Sequence, residues 1–197
     1  MQNIERQCFE RARNGDSQAF TEIVETYQRP VYNLCYRMLG NAEDAEDASQ
    51  ETFLRAYRSI KTYDQGRAFS TWLLSIAAHY CIDQIRKRRF NTISIEDLPV
   101  PDVPDLSPGM EVKLSLKEEQ QRIRSLLNVL DPVDRAAVVM YYWYDFSYDE
   151  ISQTLSISLS AVKSRLHRAR LAMARQWLAR RAETQPVGRM SHEPSLV

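Results

Sequence analysis

Three clusters of side chains in this 197-residue sequence have types and spacing suited to recognition chemistry. The densest runs from Lys163 to Arg181, with seven Lys or Arg and no Asp or Glu. A one-signed run of that kind neutralises phosphates. A second is Arg86-Lys87-Arg88-Arg89, preceded by the aromatics Phe69 and Trp72. Basic groups beside aromatic rings hold a nucleic-acid backbone and stack its bases. The third is acidic, with Glu43, Asp44, Glu46, Asp47 and Glu51 within nine residues, and suits a basic partner. Each has a plainer reading. A basic helix can simply be solvated, four bases can cap a helix terminus, Trp72 can be core, and a charged helix can be only a surface helix.

Helices must position these groups. Ser147 with Glu150 three residues later is a capping box, so a helix starts at Tyr148 with Ile151 and Leu155 on one face. Ser156-Ile157-Ser158 interrupts the pattern, and Ser158 can cap a second helix with apolar positions Leu159, Val162, Leu166, Ala169 and Met173. Between them lie Ser160, Lys163, Ser164, His167 and Arg168, a basic polar face. Two helices, a turn of about three residues and that face make a helix-turn-helix. Ahead of it, Asp131-Pro132 is a cap followed by proline at the first helical position. The aromatic run Tyr141 to Phe146 reads mostly as core beneath the motif.

In the amino-terminal half, a short helix over 3–14 ends at Asn14-Gly15, and Asp16 or Ser17 caps the next. Pro30 should restart that helix, and Gly40-Asn41 should stop it. The acidic segment continues as a helix with acids first and bases last, matching the helix dipole. Its expected inner face is Ala48, Phe53, Leu54, Tyr57 and Ile60. A glycine-containing loop around Arg67 then leads into a helix ending at Arg89. Residues 91–112 carry four prolines, five acids and no bases, and read as a flexible linker. The expected division is therefore an amino-terminal domain over 1–90, the linker, a second domain over 113–181, and a disordered tail over 182–197. No strand pattern appears, so the fold class is all-α.

The balance of 26 basic and 26 acidic residues gives zero net charge, which hides a basic carboxy-terminal helix and an acidic middle. Three dispersed cysteines form no metal-ligand spacing, and a polar amino terminus is no signal peptide. A cytoplasmic chain with reduced thiols and no cofactor is expected. No phosphate-cradling glycine loop is present, so no ATP-driven step is expected.

Taken together, DAEDASQETFLRAY, FSTWLLSIAAHYCIDQIRKRR and YDEISQTLSISLSAVKSRLHRARLAM resemble, in order and spacing, the extracytoplasmic function group of bacterial sigma factors. The resemblance covers roughly residues 10–180. It implies an alternative sigma factor with a region 2-like and a region 4-like domain. Asp47, Gln50 and Glu51 would dock on the clamp of the largest subunit of core RNA polymerase, with a further seat at the flap. Arg67, Phe69, Trp72, His79 and Arg86 to Arg89 would read and melt the −10 element of promoter DNA. Ser160, Lys163, Ser164, Arg165, His167 and Arg168 would read the −35 element. An anti-sigma factor, often membrane-bound in the group, is implied as a further partner. Two departures stand out. His79 falls where some relatives carry asparagine, and Ser156 stands where the group usually has glycine. A stand-alone helix-turn-helix regulator and, more remotely, a metal enzyme using Asp44, Asp47 and His79 are the competing readings.

Overall fold

The computed structural model describes residues 2–64, 66–91 and 110–184, with side chains over 7–64, 66–89 and 118–182. It is built of helices, with no strand among the described residues: α1 (Gln2–Arg13), α2 (Ser17–Leu39), α3 (Ala42–Ser59), a 3-10 turn at Ile60–Thr62, α4 (Phe69–Asn91), α5 (Met110–Asn128), α6 (Pro132–Trp143), α7 (Tyr148–Leu155) and α8 (Leu159–Thr184).

Local chemistry sets most boundaries. The Asp16 carboxylate accepts from the Gln18 and Ala19 N–H groups and opens α2. Gly40 closes it at φ 85°, a left-handed value that glycine takes without penalty. Asn41 caps α3 and Asp131 caps α6, with Pro132 just inside. The Ser147–Glu150 capping box is complete on both sides.

Pro30 does not restart a helix, because α2 runs unbroken through it. A mid-helix proline removes one backbone hydrogen bond at a cost of about 3 kcal/mol. Burial on both sides offsets this. Ala19 and Ile23 pack before the proline, and Val31, Leu34, Cys35 and Met38 pack after it, each at most 5% exposed. One continuous helix therefore serves both apolar clusters of the fold: a small one under α1, and a large one that continues into α6, α7 and α8.

The helix-turn-helix forms as its sequence requires. Ser156 takes φ 53°, ψ 44°, and its N–H donates to the Ser152 carbonyl. A non-glycine residue pays a steric penalty there, so Ser156→Gly should raise the melting midpoint by roughly 2–4 °C, measured by calorimetry. Ile151, Val162, Leu166 and Ala169 seal the motif, each at most 1% exposed. Leu159, expected on the inner face, is instead 38% exposed. It is the first residue of α8. The aromatic run is also only partly core. Phe146 is buried, but Tyr142 and Trp143 lie at the surface.

Nearly all of the linker expected over 91–112 lies outside the described residues, though α4 runs to Asn91 and α5 begins at Met110. Of the expected tail, residues 182–184 belong to α8 and the rest lies outside the described residues.

Candidate polymerase and promoter interfaces

The acidic helix α3 hangs on α2 and α4 by Ala45, Ala48, Thr52, Phe53 and Ala56. That leaves Asp47, Gln50 and Glu51 outward, at helical spacing. Glu51 accepts from Arg55 Nε at 2.7 Å, and the Arg55 guanidinium lies 4.8 Å from the centre of the Tyr80 ring on α4. Leu54 and Tyr57 do not belong to the inner face expected for them, being 51% and 49% exposed. Helix periodicity assigned them a stripe too wide for the contact α2 and α4 provide. Leu54 instead stands exposed one turn beyond Gln50 and Glu51, at the carboxy-terminal edge of the outward acidic face.

The loop before α4 is organised by Asp64, which accepts from the Gly66 N–H, and by the Tyr63 hydroxyl, which donates to the Arg67 carbonyl. Arg67 is exposed. Phe69 and Trp72 are half-buried in an aromatic cluster, where Phe69 lies 5.5 Å from Phe9, Tyr27 and Tyr63 and 5.4 Å from Trp72. They brace the loop and offer only part of their surface to a base. His79, Arg86 and Lys87 are exposed on α4.

The two remaining bases of that cluster have partners inside the fold. Arg88 makes a two-pronged ion pair with Asp44 at the start of α3. The bonds from Arg88, together with one from Asn41, hold the Asp44 carboxyl below the usual carboxylate range. Arg89 donates to the Leu130 carbonyl at 3.3 Å and lies 3.9 Å from Asp131. Both partners are more than 40 residues away in sequence, so no local signal announced them.

On α8, Ser160, Lys163, Ser164, His167 and Arg168 are exposed along one side, while Val162, Leu166 and Ala169 face the core. Arg165 differs from its neighbours. It donates to Asp134 of α6 at 2.6 Å and is half-buried, so it braces the recognition helix. The roles of these two basic residues are separable. Lys163→Ala should weaken DNA binding and flatten the log–log salt slope by about one unit, whereas Arg165→Ala should leave the slope nearly unchanged and lower the melting midpoint. Salt-titrated fluorescence anisotropy on promoter duplex reads both.

Among the described residues, no His, Cys, Asp and Glu group could hold a metal, and no helix is long and apolar enough to cross a membrane. Cys35 and Cys81 are buried against each other. Their mutual contact and their burial push the Cys81 thiol well above its ordinary range.

Comparison with known proteins agrees with this geometry. The family model for Sigma-70 region 2 matches residues 23–91, and that for Sigma-70, region 4 matches residues 120–173. The chain is 35% identical over 184 residues to the ECF RNA polymerase sigma factor SigW of Bacillus subtilis, covering 89% of this chain and 98% of that protein. It shares its fold with CnrH, solved in complex with the cytosolic domain of CnrY (TM-score 0.67, 23% identity, 89% of this chain and 97% of the other). The sigma factor RpoE of Bartonella quintana, solved with the anti-sigma factor NepR, is similar in fold as well (TM-score 0.63, 21% identity, 81% and 96%). With both sigma-70 regions matched in order and a relative covered almost end to end, the chain belongs to the extracytoplasmic function sigma factors, alternative factors that direct RNA polymerase to promoters.

Proposed function

We propose that the chain grips a promoter at two points while held on core RNA polymerase by a third. In this reading α3 docks on the clamp through Asp47, Gln50 and Glu51, with the exposed Leu54 as an apolar contact at the edge of the patch. The loop at Arg67 and the outer side of α4, with His79, Arg86 and Lys87, engage the −10 element. Arg88 and Arg89 act there mainly by fixing where α4 ends. The outer side of α8, from Ser160 to Arg168, reads the −35 element, with Arg165 as its brace. The domain division at the 91–112 linker belongs to the same reading.

One observation carries it. Three helices each turn an apolar side to the core and a chemically distinct side outward: acidic with one leucine on α3, and basic and polar on α4 and α8. Unstacking a base costs a few kcal/mol, which contacts of this kind can supply without a nucleotide cofactor. Polymerisation chemistry stays with core polymerase, and the chain works in the cytoplasm. The solved pairing of RpoE with NepR supports an anti-sigma partner for this chain too, soluble or membrane-bound. Run-off transcription with core polymerase on a promoter library tests the reading. Transcripts should start at a fixed distance from a shared −35 and −10 pair. Specific duplex binding with no association to polymerase would instead favour a stand-alone regulator.

A further inference from the structure

The inner stripe of α8 does not stop where its core stops. Val162, Leu166, Ala169 and Met173 follow one another at three- and four-residue steps, and Trp177 and then Arg180 continue that spacing. Val162, Leu166 and Ala169 are buried, whereas Trp177 is 39% exposed and Arg180 and Arg181 are open to solvent. A position that a core would fill with an apolar residue therefore holds a guanidinium. The polar side from Ser160 to Arg168 faces away from this stripe.

Helix α5 packs on α8. Along it, Glu118 and Arg122 stand exposed one turn apart, and Leu126 a further turn on is half-buried. The two helices enclose a cavity of about 610 Å³ whose lining includes these three residues and Trp177, Arg180 and Arg181. That volume is within the ~300–1,000 Å³ range of small-molecule sites. Both walls belong to the carboxy-terminal domain, so the cavity does not depend on how the amino-terminal helices lie. The α8 wall falls past residue 173, where the region 4 match ends.

The lining sets three guanidinia against one carboxylate. Arg122 Nε donates to the Glu118 carbonyl at 3.3 Å, and its Nη2 lies 3.8 Å from the Glu118 carboxylate. An exposed pair at that distance is weak and gives way to a better anion. The excess of positive charge suits a phosphate chain, which guanidinia hold with paired N–H bonds. The open Trp177 ring suits a planar base, because the face of a base stacks on an indole. A simple anion or a peptide carboxylate would use the arginines and leave the ring idle. No glycine loop of the kind that grips phosphates for transfer is present in the sequence, so the corner is suited to holding a nucleotide and not to phosphoryl chemistry.

We propose that the corner between α5 and α8 is a nucleotide site, with the base on Trp177 and the phosphates between Arg122, Arg180 and Arg181. A free nucleoside triphosphate and a single strand of RNA offer the same base and phosphate. The inference stands apart from the promoter reading, since none of these residues is assigned to polymerase or promoter. Equilibrium dialysis of labelled GTP against the full-length chain in EDTA tests it. Binding should saturate at one GTP per chain, with a Kd on the order of 100 μM. Trp177→Ala should weaken it about tenfold through lost stacking, and Trp177→Phe, which keeps a ring, should restore it to within about threefold. Arg180→Ala with Arg181→Ala should weaken it by about tenfold or more and flatten its salt dependence. Glu118→Gln should tighten it roughly threefold by removing the acid that competes for Arg122. Melting curves and −35 duplex binding should stay at wild-type levels in Trp177→Phe and Glu118→Gln. Inorganic triphosphate should compete about tenfold more weakly than GTP. Competition by a short RNA without terminal phosphates that is tighter than GTP assigns the site to a strand, and weaker competition assigns it to the free nucleotide. No saturation by about 1 mM GTP, inorganic triphosphate competing as well as GTP, or unchanged binding in Trp177→Ala would each overturn the proposal, the second by reducing the corner to a plain basic patch.

Discussion

Replacing Asp47 and Glu51 together by alanine should cut run-off transcription at sub-saturating protein by roughly a hundredfold, from the ~2 kcal/mol or less that each interface anchor supplies. Both carboxylates face outward on α3. Neither holds the fold: the one close partner is Arg55, an exposed pair whose loss costs about 0–1 kcal/mol. The melting curve should therefore hardly move, and binding to −35 duplex should stay at the wild-type level. Leu54→Ala should share the phenotype, since Leu54 is 51% exposed in the free chain, one turn beyond Gln50 and Glu51. Capture of core polymerase on immobilised variant checks the first effect, and calorimetry the second. Wild-type transcription by the double variant would remove the docking role of α3.

Leu166→Ala carries the largest expected loss of stability, about 2–5 kcal/mol for a buried leucine. Leu166 is 1% exposed, one turn from Val162 and packed in the same cluster as Ile151, on the helix that presents His167 and Arg168 to solvent. The cavity would loosen α8 on α7, so −35 binding should fail well below the temperature at which α3 stops capturing polymerase. Leu159→Ala, at a position 38% exposed, should cost within about 0.5 kcal/mol. Thermal scans followed by both tryptophan fluorescence and −35 anisotropy separate the two. Equal effects from the two substitutions would mean that the motif is not sealed where its burial says it is.

What could be read from residue order is what short-range chemistry decides. The Ser147–Glu150 box, the Asp131-Pro132 start and the Gly40 stop all satisfy backbone groups within four residues, so their meaning travels with the sequence. The exposed polar side of α8 was legible for the same reason, because helical spacing separates Val162 and Leu166 from Lys163 and His167. Partners far along the chain were not. Arg88 finds Asp44, Arg89 finds the Leu130 carbonyl, and Tyr144 finds Pro30 across 114 residues, each a consequence of packing. Two basic residues that look interchangeable with Arg86 and Lys87 are thereby set to other work. Leu54 and Tyr57 misled in the opposite direction, because amphipathic spacing says which side of a helix is apolar and not how wide its neighbours are. Pro30 misled because its local cost is known and its distant compensation is not.

The Asn41–Asp44–Arg88 chain joins the first turn of α3 to the last turn of α4. Asp44 serves both ends at once, and its depressed pKa means the joint is intact above the ordinary carboxylate range and dissolves only as pH falls through the lower folded value. The unit that can be transplanted without breaking this joint is therefore not a single helix. A chimera that transplants α3 alone, to change which polymerase is chosen, would leave Arg88 without its acid and misset the end of α4. Moved together with their joint, the two helices keep the Arg88–Asp44 contact, so a chimera carrying both should retain the melting behaviour that α3 alone would lose.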